Sequence, residues 1–500
     1  MRLDEYQWSR NPRGMHNQGV FRYSLDRYQQ IHAGWVKLVA GDTEFVGHIP
    51  ELLANGMTPI VRIYRAEACG QPADEGVYTS MQRYLNAGAR WFELWNEPNL
   101  NHEWPQALQA GLDPNNIGTY IAPLMDNWIV WAERIAGMGG YPAFIPLAES
   151  SEMPHAAIPW LRNMVNYLAD NYYTRFRTLL ATGLWCATHP YIFNHFYQER
   201  AGGGPLSMRS PAQQNAAEGG WHFEYPYDPV GQADDPGRTV WGGTSLTPLG
   251  DPLGLTAMGI AFMGLLQERF GGGVVPVVGT EGGIWPWPGP GEPPSALDDR
   301  YPGYTWNSHA EVTVAMFDWI ANSAPSWMFG VALWKEDHYW EGEHGVAPAV
   351  QRLAETAAPR KEVPALDTLD GVAFAPTPTP PIAPVPTESL SPVHGTPDFH
   401  FILLTPELDA DWFFDAAEAY WTRYQPVLID ASTLDVLELL PAAATAAVTA
   451  ITLGGEQIAM LNEQVRDRWP NVWYDLIVVE TAYALADTLN QRITSGRRFG

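Results

Sequence analysis

Two glutamates in this sequence end apolar runs in the same manner. In "RWFELWNEPNL" (90–100) the run closes on Asn96-Glu97-Pro98, and in the valine-rich "VVPVVGTEGG" (274–283) it closes on Glu281 before two glycines. Two carboxyl groups facing each other across a cleft have a specific use: cleaving a glycosidic bond. One must arrive protonated, so that the leaving oxygen does not depart as an alkoxide, and the other must be ionised to attack or stabilise an oxocarbenium-like centre. Like charges in a sheltered cleft push the two pKa values apart, which divides those roles. At a separation of about 5–5.5 Å the outcome is retention, through a covalent glycosyl-enzyme.

The elements that would hold these acids are legible. Strict alternation puts Glu93, Trp95 and Glu97 on one face of a strand, with Glu97 outermost and Pro98, which has no N–H to donate, ending the ladder. The glycines after Glu281 let backbone come close to a ligand. Eight short apolar runs precede residue 366: 13–19, 35–40, 58–65, 90–98, 143–150, 184–194, 274–283 and 329–337, with helical patterns such as "IGTYIAPLMDNWIVWAERIAG" between them. Buried strands alternating with helices imply a parallel sheet covered on its outside, and eight units close a (β/α)8 TIM barrel. The runs end in His16, Lys37, Arg62, Glu97, Glu149, His189, Glu281 and Trp334, which the barrel would gather at its C-terminal rim, where chemistry sits in this fold. Strands four and seven stand on opposite walls, so Glu97 and Glu281 are expected to face each other.

"LWNEPN" with "GTEGG" three strands later resembles the clan A retaining glycoside hydrolases, and the wording "FELWNEPNL" is closest to family 39 and parts of family 5. The resemblance covers residues 1 to about 365. It implies Glu97 as acid/base, Glu281 as nucleophile, and Asn96 as hydrogen-bond partner of the sugar 2-hydroxyl and the nucleophile. It also implies a His or Tyr after strand six, met here by His189 and Tyr191, and an aromatic floor at the end of strand eight, met by Trp334. One departure is that Gly282-Gly283 follow the nucleophile where those families place a bulky residue.

Around the acids, Asn96, His16, Lys37, Arg62, His189, Tyr191, Trp285 and Trp334 are the expected substrate-binding set. Arg62 is also expected to keep a carboxylate charged. Glu93 should lie deeper as a core polar group, Glu149 at the rim or surface, and Glu336 and Asp337 near a distal sugar. The chain carries 22 tryptophans. Trp104, Trp241 and Trp287 are candidates for further sugar-stacking positions, whereas Trp128 and Trp131 read as helix-to-barrel packing. His195 and the long stretch 199–257 would shape the cleft. No metal is expected, because strand one lacks an H-x-H pair and no H-E-x-x-H occurs. No cofactor is required. A transglycosidase, a catalytically silent glycan-binding barrel and a metal-dependent barrel hydrolase remain as alternatives.

The bulk properties narrow the partners. The chain has 500 residues, 46% hydrophobic and 12% aromatic, which describes a globular protein. A formal charge of -27 disfavours nucleic acid and anionic membrane surfaces. Two cysteines, Cys69 and Cys186, are too few for a disulfide framework. No run is long and apolar enough for a membrane span, and "MRLDEYQWSRNPRG" lacks the apolar core of a secretion signal. Residues 366–398 form a Pro/Thr-rich linker, a spacer type commoner in exported proteins, and the localisation stays open. Beyond it, "FHFILLTP", "QPVLID", "AVTAITLG" and "WYDLIVVE" predict strands of a small α/β domain over 399–500. A helix there aligns Ile458, Leu461, Val465 and Trp469 on one face. No motif assigns this domain a role.

Overall fold

The computed structural model describes residues 1–17, 19, 22–192, 196–199, 220–223, 235–242, 244–284, 306–341, 346–368 and most of 397–499. The chain forms two compact units, Met1–Pro381 and Ile382–Gly500. In the first, strands β1 (Arg13–His16), β2 (Trp35–Ala40), β3 (Thr58–Ile63), β4 (Trp91–Glu93), β5 (Tyr141–Phe144), β6 (Trp185–Thr188), β7 (Val277–Gly279) and β8 (Met328–Leu333) are all parallel to their neighbours. They close in the order β1-β8-β7-β6-β5-β4-β3-β2. Helices α1 (Leu25–Gln30), α2 (Ile49–Ala54), α3 (Glu75–Asn86), α4 (Ala122–Gly137), α5 (Ala157–Thr182), α6 (Ala257–Phe270), α7 (Trp306–Asn322) and α8 (Ala347–Glu355) alternate with them. This is a (β/α)8 barrel, and each strand lies within or next to one of the eight apolar runs.

The strands are buried on both faces, as a sheet enclosed by helices requires. Trp128 and Trp131 on α4 are fully buried; the Trp128 indole N–H donates to the Ala143 carbonyl of β5 at 2.9 Å, and the Trp131 indole N–H points to Met81 Sδ of α3 at 3.3 Å. Inside the barrel, β2, β4, β6 and β8 contribute one layer of aromatic side chains: Trp35, Trp91, Trp185 and Phe329, each wholly buried. The Trp91 ring lies 5.0 Å from Trp35, 5.2 Å from Trp185 and 6.3 Å from Phe329. Four side chains from alternate strands are how such a barrel fills its interior. Two residues further along β2 and β4, on the same face, Lys37 and Glu93 form an ion pair in which both side chains have no exposure.

One local expectation is corrected. The regular ladder of β4 stops at Glu93, four residues before Glu97, so the alternation of Glu93, Trp95 and Glu97 does not persist to the rim.

In the second unit, β9 (Phe399–Leu404), β10 (Val427–Ile429), β11 (Ala446–Leu453) and β12 (Trp473–Val479) form a parallel sheet in the order β10-β9-β11-β12. Alternate residues serve its two faces. Ile402, Ile451 and Ile477 pack with Phe413 and Tyr420 of α9 (Ala410–Tyr424) and with Leu485 and Leu489 of α10 (Ala482–Thr494). Phe401, Leu403, Val448 and Ala450 pack with Leu461 and Val465 on the other face. The expected linker falls mostly outside the described residues. Its first residue, Leu366, is tied to the barrel by a 2.8 Å bond from the Leu3 amide to its carbonyl. Among the described residues no helix is long and apolar enough to cross a membrane.

Candidate active site

The C-terminal ends of the barrel strands bring one group of side chains together. His16 ends β1, Arg62 lies near the end of β3, His189 directly follows β6, Glu281 follows β7 by two residues, and Trp334 directly follows β8. Above the barrel, Tyr191–Ile192 pairs with Gly283–Ile284 as a short parallel ribbon that carries the walls of β6 and β7 upward. The two glycines after Glu281 are explained by this ribbon. Gly282 has φ 139°, and a Cβ on it would lie 2.3 Å from the Pro190 carbonyl oxygen. Gly283 has φ 101°, and a Cβ on it would lie 2.5 Å from Leu333 Cδ2. They admit neighbouring protein, where the sequence reading had them admit a ligand.

Glu281 is 5% exposed and has partners on both oxygens. Oε1 lies 3.4 Å from Arg62 Nη1 and 3.5 Å from His16 Nε2. Oε2 accepts from the Tyr191 hydroxyl at 3.2 Å and lies 3.7 Å from His189 Nδ1. Burial pushes this carboxyl up, but His189, His16 and Arg62 outweigh it and hold it well below the usual carboxylate range. Burial also pushes the Tyr191 hydroxyl far above its ordinary value, reinforced by Glu281, so it keeps the proton it donates. Burial lowers the His16 pKa against the opposing pull of Glu281. For Arg62, burial works against the charge, yet Glu281, Glu93 and other nearby acids raise its pKa overall.

Glu97 stands opposite and is more open, with 13% of its side chain exposed. His189 Nδ1 lies 2.7 Å from its Oε1, and the Asn96 amide donates to its Oε2 at 3.3 Å. Asn96 is held twice more: Arg62 donates to its Oδ1, and its Nδ2 donates to Glu103 Oε1 at 2.8 Å. One ligand atom each of Glu97, His189 and Glu281 lie within 4.8 Å of one another. By donor type these three residues could hold a divalent cation, but the Arg62 guanidinium against Glu281 already supplies positive charge there.

Several expected site residues lie elsewhere. Lys37, expected to meet substrate, is wholly buried with its ammonium on Glu93, one step down the barrel interior. Burial lowers its pKa and Glu93 opposes that; burial raises Glu93, but Lys37 and Arg62 overcome it and lower it. Trp334 is half-buried, its ring 4.5 Å from His16 and 6.5 Å from Tyr191. Trp104 is fully buried against Tyr120 and Trp160, so it offers no face to a sugar. Trp241 packs under the Arg162 guanidinium, which lies 4.8 Å from its ring. Glu149, expected at the rim or surface, has both carboxyl oxygens buried, and burial, helped by Asp251 and Glu97, pushes its pKa well up. Glu336 is buried, bonded by Arg27 at 3.1 Å and Tyr28 at 3.0 Å, and Asp337 pairs with Lys335 at 3.2 Å. Trp285, Trp287 and His195 lie outside the described residues. Glu103 is the participant that sequence reasoning missed. It stands six residues past Glu97 in a turn, and no periodicity points to it.

No family model matches the chain. No curated protein matches it either. Among solved structures it is similar to a GH128 (subgroup I) endo-β-1,3-glucanase from Amycolatopsis mediterranei, a mutant in complex with laminaritriose and laminaribiose. That likeness has 11% sequence identity and a TM-score of 0.34, and it covers 69% of this chain and 99% of that chain.

Proposed function

We propose that the protein is a retaining glycoside hydrolase, an O-glycosidase that cleaves β-type bonds of an oligo- or polysaccharide by double displacement. The observation that carries this reading is the unequal pair of acids. Glu281 is buried among Arg62, His16, His189 and Tyr191, which hold it ionised, while Glu97 lies across the cleft with its carboxyl partly open. One oxygen of Glu97 and one of Glu281 lie within 4.8 Å of each other, near enough to act on a single sugar, and retention is proposed on the resemblance of the two motifs. The fourth-strand and seventh-strand motifs resemble those of clan A, in the style of families 39 and 5.

In this mechanism the Glu281 carboxylate attacks the anomeric carbon while the Glu97 proton passes to the glycosidic oxygen, whose bond to that carbon breaks. The leaving sugar departs as an alcohol and an ester joins Glu281 to the glycone. Glu97, now ionised, takes a proton from water, the water oxygen attacks the anomeric carbon, and Glu281 is released as carboxylate. Arg62, His16 and Tyr191 stabilise Glu281 before attack and again as it leaves, and Trp334 offers a ring face to the sugar. The barrel, 1–365, carries the chemistry, with 366–398 as spacer to an accessory domain, 399–500.

Glu281→Ala should lose hydrolysis of an aryl β-glycoside with an activated leaving group. Added azide should restore turnover and give the inverted glycosyl azide. Full hydrolysis by that variant would refute the assignment.

A further inference from the structure

We propose that Glu103 is a positioning residue for the acid: its carboxylate fixes the Asn96 amide so that one N–H is aimed at Glu97. The inference rests on the reading of Glu97 as acid/base and adds the device that holds it.

The orientation of the Asn96 amide follows from its neighbours. Arginine carries donors only, so the Asn96 atom facing Arg62 is the oxygen. The amide nitrogen then has two hydrogens. One goes to Glu103 Oε1 at 2.8 Å and the other to Glu97 Oε2 at 3.3 Å. No N–H of Asn96 is left for a sugar hydroxyl or for Glu281, the two partners that the resemblance to clan A implied. In this chain the Asn96 side chain bridges Arg62, Glu97 and Glu103.

Glu103 itself is set in a closed turn. The Leu100 amide donates to the Glu97 carbonyl at 2.9 Å, and the Glu103 amide donates to the Leu100 carbonyl at 3.3 Å. The next residue, Trp104, is wholly buried, and its indole N–H returns to the carbonyl of Pro98, the neighbour of Glu97. The turn that begins at the acid therefore ends by presenting a second carboxylate to the amide beside it. The side chain of Glu103 is 12% exposed, which shields that bond from water. Asn96 at Oε2 and His189 at Oε1 together restrain the Glu97 carboxyl about its last torsion, and Glu103 secures the Asn96 half of that hold.

The signature of such a residue is a dependence on the leaving group. A glycoside whose leaving group is a sugar or alkyl alcohol needs the proton from Glu97, and one that releases 2,4-dinitrophenolate does not. Glu103→Ala should lower kcat/KM about tenfold on the first kind, a fraction of the roughly 10²–10⁴ that general acid catalysis contributes. It should leave kcat/KM on the dinitrophenyl substrate essentially unchanged, because that ratio reports only formation of the glycosyl-enzyme; kcat there should fall, since Glu97 also serves as base when water releases the sugar. Glu103→Gln, which keeps an acceptor for Asn96, should recover most of the lost rate. Equal losses of kcat/KM on both substrates would show Glu103 holding the fold rather than the acid and would overturn the proposal. So would no loss on either, or a Gln variant as impaired as the Ala variant. The underlying reading is tested separately: Glu97→Ala must itself show strong leaving-group dependence, and an equal loss there would remove the acid assignment.

Discussion

The two ends of the barrel interior are built by opposite chemistry. Towards the start of β2, β4, β6 and β8, Trp35, Trp91, Trp185 and Phe329 form an aromatic plug with no exposure. Towards the ends stand Lys37, Glu93, Arg62, His16, His189 and Glu281, also buried but charged or polar. Apolar burial stabilises the plug directly, at roughly 25 cal/mol per Å². The upper layers carry groups whose desolvation costs several kcal/mol each unless paired, so each is paired: Lys37 with Glu93, Arg62 with Glu281 and Asn96. The difference teaches where this molecule stores stability and where it stores reactivity. Glu281 combines deep burial with three basic neighbours, an arrangement a purely structural core would replace with leucine.

That contrast can be broken from either end. The largest effect is expected at the top: Glu281→Gln should cut kcat/KM at least about a thousandfold, as removal of a group acting in the transition state does. Steady-state kinetics on an aryl glycoside, with circular dichroism to check folding, measures it. At the bottom, Trp91→Ala should cost about 3–5 kcal/mol in urea unfolding, the usual range for a deleted buried indole. Activity per folded molecule should stay the same, and a selective loss of activity would blur the distinction between the ends. Between them, Lys37→Met should cost about 3–5 kcal/mol because it strands the Glu93 carboxylate, whereas Lys37→Met with Glu93→Leu should recover most of it. Failure of the double variant to recover would mean that the pair does more than neutralise itself.

The smallest effect concerns acid. Glu281 is depressed in the folded state, so its charge adds stability that is fully present above the unfolded glutamate value of about 4.3. That stability fades as the pH falls and is gone below the folded value, which lies well under the ordinary range. The stability difference between the parent and Glu281→Gln should be flat near neutrality and shrink only in strong acid. A difference that vanished between pH 6 and 7 would contradict the sign.

Much of this architecture was legible because hydrophobic runs report strands directly. The runs at 35–40 and 58–65 contain β2 and β3, and the acids at 97 and 281 stand out because apolar strands seldom end that way. What escaped is whatever depends on a chain turning back on itself. The Glu103–Asn96 bond, the Lys37–Glu93 pair and the burial of Trp104 join positions that no period relates. Alternation also failed on β4, because the chain leaves the ladder at Glu93, four residues before Glu97. Glycines 282 and 283 were recognisable as needing close approach, but only the fold shows that Pro190 and Leu333 are what approach them.

The central claim is that the buried carboxylate of Glu281, set beside the Arg62 guanidinium, attacks an anomeric carbon. The most direct test is to treat the protein with the 2-deoxy-2-fluoro, dinitrophenyl form of an aryl β-glycoside it hydrolyses, and then map the modified peptide by mass spectrometry. One glycosyl group, esterified to Glu281, is expected. A sugar attached to any other residue, or turnover that gives the inverted anomer first with no adduct, would contradict it.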